Sequence, residues 1–148
     1  MTEITEIFDT LEYGPAPEST EPVDSWLEEH GREFSLWIAG AWRESSDGER
    51  FETVNPATGR PLARIAQGSD VDVSAAVAAA REAFPTWSGL SGHQRSRYLY
   101  AIARRLQRDS RLFAVLETMD NGKPIREARD IDIPLVARHF YHHAGWAQ

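Results

Sequence analysis

Residues 116–124, Leu-Glu-Thr-Met-Asp-Asn-Gly-Lys-Pro, are the most informative stretch of this sequence because they describe how a helix ends. Apolar residues recur at helical spacing just ahead of the stretch, and Asp109 or Ser110 can cap the start of that helix. Gly122 follows, and glycine suits the left-handed position just past a helix end. The stretch therefore predicts a helix that stops at Gly122.

Two more helices are predicted before this stretch, each opened by a capping box. Ser69–Asp72 has Asp in place of the usual Glu or Gln, and apolar residues follow at helical spacing until Pro85 ends the run. Ser91–Gln94 opens the next helix. We assign its arginines to a solvated face; they are Arg95, Arg97, Arg104 and Arg105.

A fourth helix is predicted beyond the stretch, from Asp130 or Asp132 to Trp146, with Pro134 in its first turn. Proline is well tolerated there because the first turn of a helix leaves its N–H groups unbonded. Everything after Gly68 is thus predicted to be helical.

Short β-type runs precede the helices. Turn-forming residues separate them, with Ser-Ser-Asp-Gly at 45–48 and Asn-Pro-Ala-Thr-Gly at 55–59. Together they predict a small antiparallel hairpin region, which makes the fold α/β. The runs are Leu36–Ile38, Ala41–Arg43, Phe51–Val54 and Leu62–Ala66.

The first 33 residues form an acidic arm, with ten acidic residues against a single basic one. The arm combines an amphipathic start at residues 4–11, a proline-containing connector at residues 13–17 and a short helical candidate around Trp26 and Leu27. We interpret it as an extended arm; a mobile, solvated tail is the alternative.

Charge and composition exclude several classes of function. From residue 34 onward the chain has 13 acidic and 15 basic residues, which gives no electrostatic case for binding nucleic acid or an anionic membrane surface. No apolar run is long enough to span a bilayer and no targeting signal is visible at the start, so we expect a soluble cytoplasmic protein. The absence of cysteine excludes thiol chemistry within these residues.

Three segments in this order resemble the aldehyde dehydrogenase superfamily. They are Phe-Glu-Thr-Val-Asn-Pro-Ala-Thr-Gly at 51–59, the stretch at 116–124, and Tyr-His-His-Ala-Gly-Trp-Ala at 141–147. The resemblance covers residues 34–148. The leader at 11–18, Leu-Glu-Tyr-Gly-Pro-Ala-Pro-Glu, is similar to the family 16 branch.

The resemblance implies an aldehyde dehydrogenase-like fold, of which this chain holds only a part. Residues 34–148 would be the N-terminal part of a Rossmann-like cofactor-binding domain, preceded by the arm at residues 1–33. The dinucleotide-binding core of such a domain lies further along the family's sequence. No Gly-x-Gly-x-x-Gly motif occurs here.

The implied activity is oxidation of an aldehyde to a carboxylic acid through a cysteine thioester, with hydride passing to NAD or NADP. The family's cysteine, general base and oxyanion donor lie beyond the position that resembles Gln148, so we assign no catalytic and no cofactor-binding residue, and we expect this chain alone to be inactive. The family also implies a homo-oligomer. A non-catalytic module for oligomerisation or partner binding is the alternative.

One site is implied residue by residue. Family members hold a structural sodium or potassium ion with oxygens that correspond to Thr53, Val54 and Asp120, and hard cations favour such ligands. The alternative is that Thr53 and Asp120 only make turn and capping hydrogen bonds. Leu135, with its neighbour Val136, resembles positions bordering the family's substrate tunnel; plain core is the alternative.

Other residues invite a functional interpretation that we do not favour. Lys123 is expected to complement carbonyls at the preceding helix end, and Glu117 to form an ion pair or a cap. His139 and His143 lie one helical turn apart beside His142, a spacing that metals use. A helical metal-binding protein is therefore a third hypothesis.

Overall fold

The computed structural model describes residues 18–148, so the amphipathic start at residues 4–11 and the connector at 13–17 lie outside the described residues. The elements are α1 (Glu21–Glu29), β1 (Glu33–Phe34), β2 (Leu36–Ile38), β3 (Ala41–Arg43), β4 (Arg50–Val54), β5 (Pro61–Ala66), α2 (Asp70–Gly89), α3 (Gly92–Arg108), α4 (Ser110–Asn121), α5 (Ile125–Glu127), a π-helical turn (Ala128–Asp132) and α6 (Ile133–Trp146).

The strands form two small sheets, which confirms the α/β class. Strands β2 and β3 pair as an antiparallel hairpin, and β4 pairs antiparallel with β5, as the sequence predicts. The sequence did not predict β1, which pairs in parallel with β5 at Glu33 and Arg64. A two-residue strand has no periodicity of its own, so only the pairing identifies it.

The core lies where α1 and α4 meet the three-stranded sheet. Val23 and Leu27 of α1 are 0% and 2% exposed and pack in one cluster with Leu62, Val115 and Met119. The helical candidate around Leu27 is therefore confirmed. Residues 21–29 belong to the packed body and not to a solvated tail, because this helix supplies two fully buried apolar side chains to the core.

Helix α2 corrects the expectation that Pro85 ends a helix. The helix continues through Pro85 to Gly89, and Leu90 leaves it with an extended backbone. Proline removes one backbone donor, but the remaining hydrogen bonds of a 20-residue helix can continue around it. The Trp87 ring lies 5.5 Å from the Tyr98 ring of α3, a contact that supports the last turn.

Both predicted capping boxes are confirmed, and the first belongs to a larger polar cluster. Asp72 accepts hydrogen bonds from the backbone N–H of Ser69 (2.9 Å) and of Ser46 (3.1 Å) and from the hydroxyl of Ser45 (3.1 Å). Hydrogen bonds from Ser69 are the main cause that lowers the pKa of Asp72 to about 2. Asp72 thereby ties the start of α2 to the loop after β3.

We expect Asp72→Asn to destabilise the chain in a pH-dependent way. The folded-state pKa of about 2 lies below the ordinary 3.8, so the stabilisation is fully present above about pH 4 and is lost as the pH falls towards 2. Urea unfolding at several pH values should show the difference from the native chain shrinking over that window. Asp70→Asn, an exposed carboxylate of the same helix turn, is the control; equal losses for both variants would contradict the prediction.

The C-terminal helices follow the predicted order with one insertion. Gly122 ends α4 with φ +82°, and Pro134 lies in the first turn of α6, as predicted. Neither α5 nor the π-helical turn was predicted. Helices α3 and α6 pack closely through small residues, of which Ala103 and Ala144 are fully buried. Among residues 18–148, no helix combines the length and the apolar character that a bilayer crossing requires.

Candidate functional site

Two of the three residues proposed as cation ligands meet in the structure. Thr53 lies in β4 and Asp120 in the last turn of α4, and the Thr53 hydroxyl donates a hydrogen bond to Oδ1 of Asp120. The two residues are 67 positions apart in the chain, so this contact depends on the tertiary fold. Val54 follows Thr53 at the end of β4, where the pairing with β5 is irregular.

The turn after β4 is built to lie against the end of α4. The Asn55 side chain accepts from the backbone N–H of Ala57 at 2.9 Å, and the Asn55 backbone N–H donates to the carbonyl of Arg60 at 2.9 Å. A Cβ on Gly122 would come within 2.8 Å of Pro56 Cγ. Glycine is therefore required at 122 for two reasons, its left-handed backbone and this close approach.

This approach places the Asn-Pro turn directly against the Asn-Gly-Lys-Pro stretch. The sequence predicts the glycine at 122 from its position past the helix end but does not predict its contact with Pro56. Nothing local to either motif indicates the other.

An apolar cleft of about 230 Å³ borders the same contact. Thr53 and Asp120 supply a hydroxyl and a carboxylate to a lining that is otherwise mostly apolar. The other lining residues are Trp26, Leu27, Phe34, Leu62, Ala63, Ile65 and Leu116. Because several of them belong to the core cluster, the position of the polar pair is fixed by the packing of α1 and β5.

The oxygen atoms of the Thr53–Asp120 contact are compatible with a hard cation of low charge. Asp120 presents one carboxylate and Thr53 one hydroxyl, and both are oxygen groups of the kind that hard cations favour. No cluster of three or more His, Cys, Asp or Glu side chains that could hold a metal ion occurs within residues 18–148.

The histidines of α6 make aromatic contacts with their neighbours. The His142 ring lies 5.3 Å from that of His143 and 6.0 Å from that of Trp146, while His139 and His143 are exposed. Within the described part of the chain, no third ligand joins His139 and His143. The structure thus adds no observation in favour of the metal-binding hypothesis.

Lys123 and Glu117 have structural partners. The Lys123 ammonium pairs with the carboxylate of Asp132, and this hydrogen bond raises the pKa of Lys123. The partner is thus a side chain in the π-helical turn and not the helix-end carbonyls that we expected. Glu117 accepts a hydrogen bond from Nδ2 of Asn121 at 3.2 Å, one helical turn along. Both arrangements tie these side chains to the residues around the end of α4.

Leu135 and Val136 lie on α6 with side chains that are 44% and 39% exposed. They are not part of a plain core within the described residues. No element of the described chain covers them in the way that a tunnel wall would require.

The described sheet differs from the sheets on which dinucleotides bind. The larger sheet has three strands with a single parallel pair, whereas dinucleotides bind at the carboxyl ends of an extended parallel sheet. The chain also contains no cysteine.

Comparison with known proteins links this geometry to one family. A profile described as "Aldehyde dehydrogenase family" matches residues 42–148. Acetaldehyde dehydrogenase 2 from Cupriavidus necator is 40% identical over 114 residues, which are 77% of this chain and 22% of that protein.

Solved structures also superpose on this chain over a limited part of their own length. The NAD+ complex of an aldehyde dehydrogenase from Bacillus cereus superposes with a TM-score of 0.81 at 34% identity, over 89% of this chain and 27% of that one. HpcC from Thermus thermophilus superposes with a TM-score of 0.79 at 34% identity, over 85% of this chain and 24% of that one. The chain thus spans about a quarter of the length of these relatives.

Proposed function

The chain belongs to the aldehyde dehydrogenase family, and from that premise we propose that it is the N-terminal segment of an NAD(P)-dependent enzyme that oxidises an aldehyde to a carboxylic acid. The match of residues 42–148 to the family profile carries this proposal. The reaction would use a cysteine thioester whose nucleophile lies outside these 148 residues, since they contain no cysteine. The cofactor would be NAD or NADP; the NAD+ bound to the Bacillus cereus relative supports this class.

The role of this chain in such an enzyme would be structural. Residues 34–148 would form the first part of the cofactor-binding domain, with residues 1–33 as an arm ahead of it. Leu135 would border the substrate tunnel, and its half-exposed side chain is available for that contact. The enzyme would be a homo-oligomer, as the family resemblance implies, and would be cytoplasmic.

A graft into a relative tests the proposed function. The 114 residues of Cupriavidus necator acetaldehyde dehydrogenase 2 that match this chain are replaced by their counterparts from this chain. We expect the chimera to fold and to form reduced nicotinamide when acetaldehyde is supplied, because the relative provides the missing nucleophile and cofactor core. Absorbance at the wavelength of the reduced nicotinamide measures turnover.

Two controls make the graft decisive. The same chimera with the relative's catalytic cysteine replaced by alanine should lose turnover, and this chain alone should show none. A chimera that folds with native-like circular dichroism but does not oxidise acetaldehyde would contradict the proposal. So would aldehyde-dependent turnover by the isolated chain.

We further propose that Thr53, Val54 and Asp120 contribute oxygens to a structural sodium or potassium site. The contact between the Thr53 hydroxyl and the Asp120 carboxylate supports it, because both groups can turn their lone pairs towards one ion. The remaining ligands would come from protein outside this chain. The site is therefore best tested in the chimera.

Potassium is expected to stabilise the chimera relative to choline at equal ionic strength. An ion present at ten to a hundred times its dissociation constant raises the free energy of unfolding by about 1.4 to 2.7 kcal/mol. Asp120→Asn should remove the difference between the two salts, which thermal or urea unfolding measures. Glu52→Gln, an exposed carboxylate on the same strand, is the control. Equal stability of the chimera in both salts would contradict the proposed cation site and leave only the hydrogen bond between Thr53 and Asp120.

A further inference from the structure

The exposed face of α3 carries a row of arginines that we call the arginine stripe. It consists of Arg97, Arg104 and Arg108, whose spacings of seven and four residues place them on one side of the helix. All three are exposed, and α3 contains no aspartate or glutamate. The stripe is therefore a strip of positive charge on a chain whose formal net charge is −7.

The positive charge of the stripe is only partly neutralised. Arg108 shares the carboxylate of Asp109 with Arg105. Within residues 18–148, no carboxylate lies within salt-bridge distance of Arg97 or Arg104. The structure thus leaves at least two guanidinium groups of one helix face available to an anionic partner.

A cleft of about 370 Å³ lies beside the stripe, at the junction of α2 and α3. Its lining combines the apolar side chains of Leu90 and Ala101 with the ring of Tyr98. Arg97 belongs both to the cleft and to the stripe, and Gln94 completes the lining. This surface suits a segment that carries apolar side chains and carboxylates together.

The described chain begins at the other end of this surface. The Glu18 side chain is 10% exposed and accepts from Arg111 at 3.0 Å and from Arg129 at 3.3 Å. Arg111 lies in the first turn of α4, three residues after Arg108 of the stripe. Residue 18 is thus held close to the C-terminal end of α3.

Residues 1–17 have the composition that the surface requires. They contain four carboxylates and no lysine or arginine; the carboxylates are Glu3, Glu6, Asp9 and Glu12. Apolar side chains alternate with them, at Ile4, Ile7, Phe8 and Leu11. The rise of α3 between residues 97 and 108 is about 17 Å. Seventeen residues span up to about 56 Å when extended, so they can cover the stripe.

Weak contacts suffice because this segment is tethered. An exposed ion pair contributes only about 0 to 1 kcal/mol, so the carboxylates alone would not hold a free peptide. A short flexible linker, however, gives an effective concentration in the millimolar range. A millimolar intrinsic affinity, which a few apolar contacts in the cleft can supply, therefore populates the docked state.

We infer that residues 1–17 dock on the arginine stripe and its cleft in the same chain, with their carboxylates against Arg97 and Arg104. This proposal does not depend on the catalytic proposal, since it concerns only residues of this chain. Docking covers the stripe at low ionic strength. High salt lowers the docked fraction by screening the ion pairs, since the Debye length falls from about 10 Å at 0.1 M to about 3 Å at 1 M.

Photo-crosslinking can locate the segment, because the chain has no natural cysteine. Thr5→Cys provides a single attachment point for a benzophenone maleimide and keeps every carboxylate and apolar side chain of the segment. We expect crosslinks to map by mass spectrometry to residues 90–104, in a product of monomer size, at nanomolar protein concentration. Half of the molecules are docked when the effective concentration equals the intrinsic dissociation constant. Removing two ion pairs should weaken the contact about fivefold, which lowers the docked fraction, and with it the crosslinking yield, about threefold.

The double variant Arg97→Gln/Arg104→Gln, made in the Thr5→Cys background, should show this loss, and 1 M salt should reproduce it. Arg60→Gln/Arg81→Gln removes two exposed arginines elsewhere and should leave the yield unchanged. Crosslinks found only in dimers would assign the surface to the leader of a second copy and overturn the proposal. Crosslinks scattered over the molecule, or unchanged in the stripe variant, would overturn it as well.

Discussion

Replacing Leu27 by alanine is expected to lower the free energy of unfolding by about 2 to 5 kcal/mol, the usual range for a large-to-small change in a core. Leu27 is 2% exposed and is the largest of the fully buried side chains. It packs against Leu62 of β5 and Met119 of α4, so the cavity would open where helix and sheet meet. Such a loss is a large part of the about 5 to 15 kcal/mol that stabilises an ordinary domain.

Ile131→Ala is the matched control for this change. It removes an aliphatic side chain of the same size from a position that is 57% exposed, and surface changes usually alter stability by less than about 0.5 kcal/mol. Urea unfolding followed by circular dichroism measures both variants. Equal losses for the two variants would mean that α1 is not part of the core, contrary to the packing of Val23 and Leu27.

The second large effect is expected in self-association of the isolated chain through the apolar face of α2. We define this face by Val73, Val77 and Phe84, which are 59%, 45% and 64% exposed. Asp72 is the only buried residue of this 20-residue helix. Apolar residues at helical spacing that remain this exposed favour association, as an exposed apolar patch generally does.

The double variant Val77→Asp/Phe84→Asp should weaken this association by about a hundredfold or more. Burying a valine and a phenylalanine contributes about 1.5 to 3 kcal/mol each, and about 1.4 kcal/mol is a tenfold change in the dissociation constant. Sedimentation velocity over a concentration series measures the effect. A native chain that stays monomeric throughout the series would contradict the prediction.

The control for this experiment adds the same charge elsewhere on the same helix. Ala75→Asp/Ala78→Asp changes two exposed positions that lie away from the apolar face. It should retain the association of the native chain. If both double variants dissociate equally, net charge and not the apolar face would be the cause.

The exposed face of α2 fits the finding that this chain spans about a quarter of the length of its relatives.

The sequence predicts helix α2 from its capping box and apolar spacing, and both features are present in the structure. The predicted end of this helix at Pro85 was wrong, because the rule that proline ends a helix does not account for the hydrogen bonds that continue past it.

The candidate cation site shows what the family resemblance predicts from the sequence alone. Thr53 and Asp120 were named from their motifs, and the structure brings them into hydrogen-bonding contact. The partner of Lys123 was not foreseen. Asp132 lies in a π-helical turn that periodicity could not identify, since such turns insert one extra residue into each hydrogen-bonded ring.

The sequence by itself determined what depends on neighbours along the chain. The capping boxes at Ser69 and Ser91 and the left-handed glycine at 122 follow from hydrogen bonds that span only a few residues, and the family follows from motifs in a fixed order. The tertiary structure alone decided the burial of Leu27, the parallel pairing of β1 with β5 and the approach of Gly122 to Pro56. These contacts join residues far apart in the chain, so they form only where packing repays the entropy of closing the intervening loops.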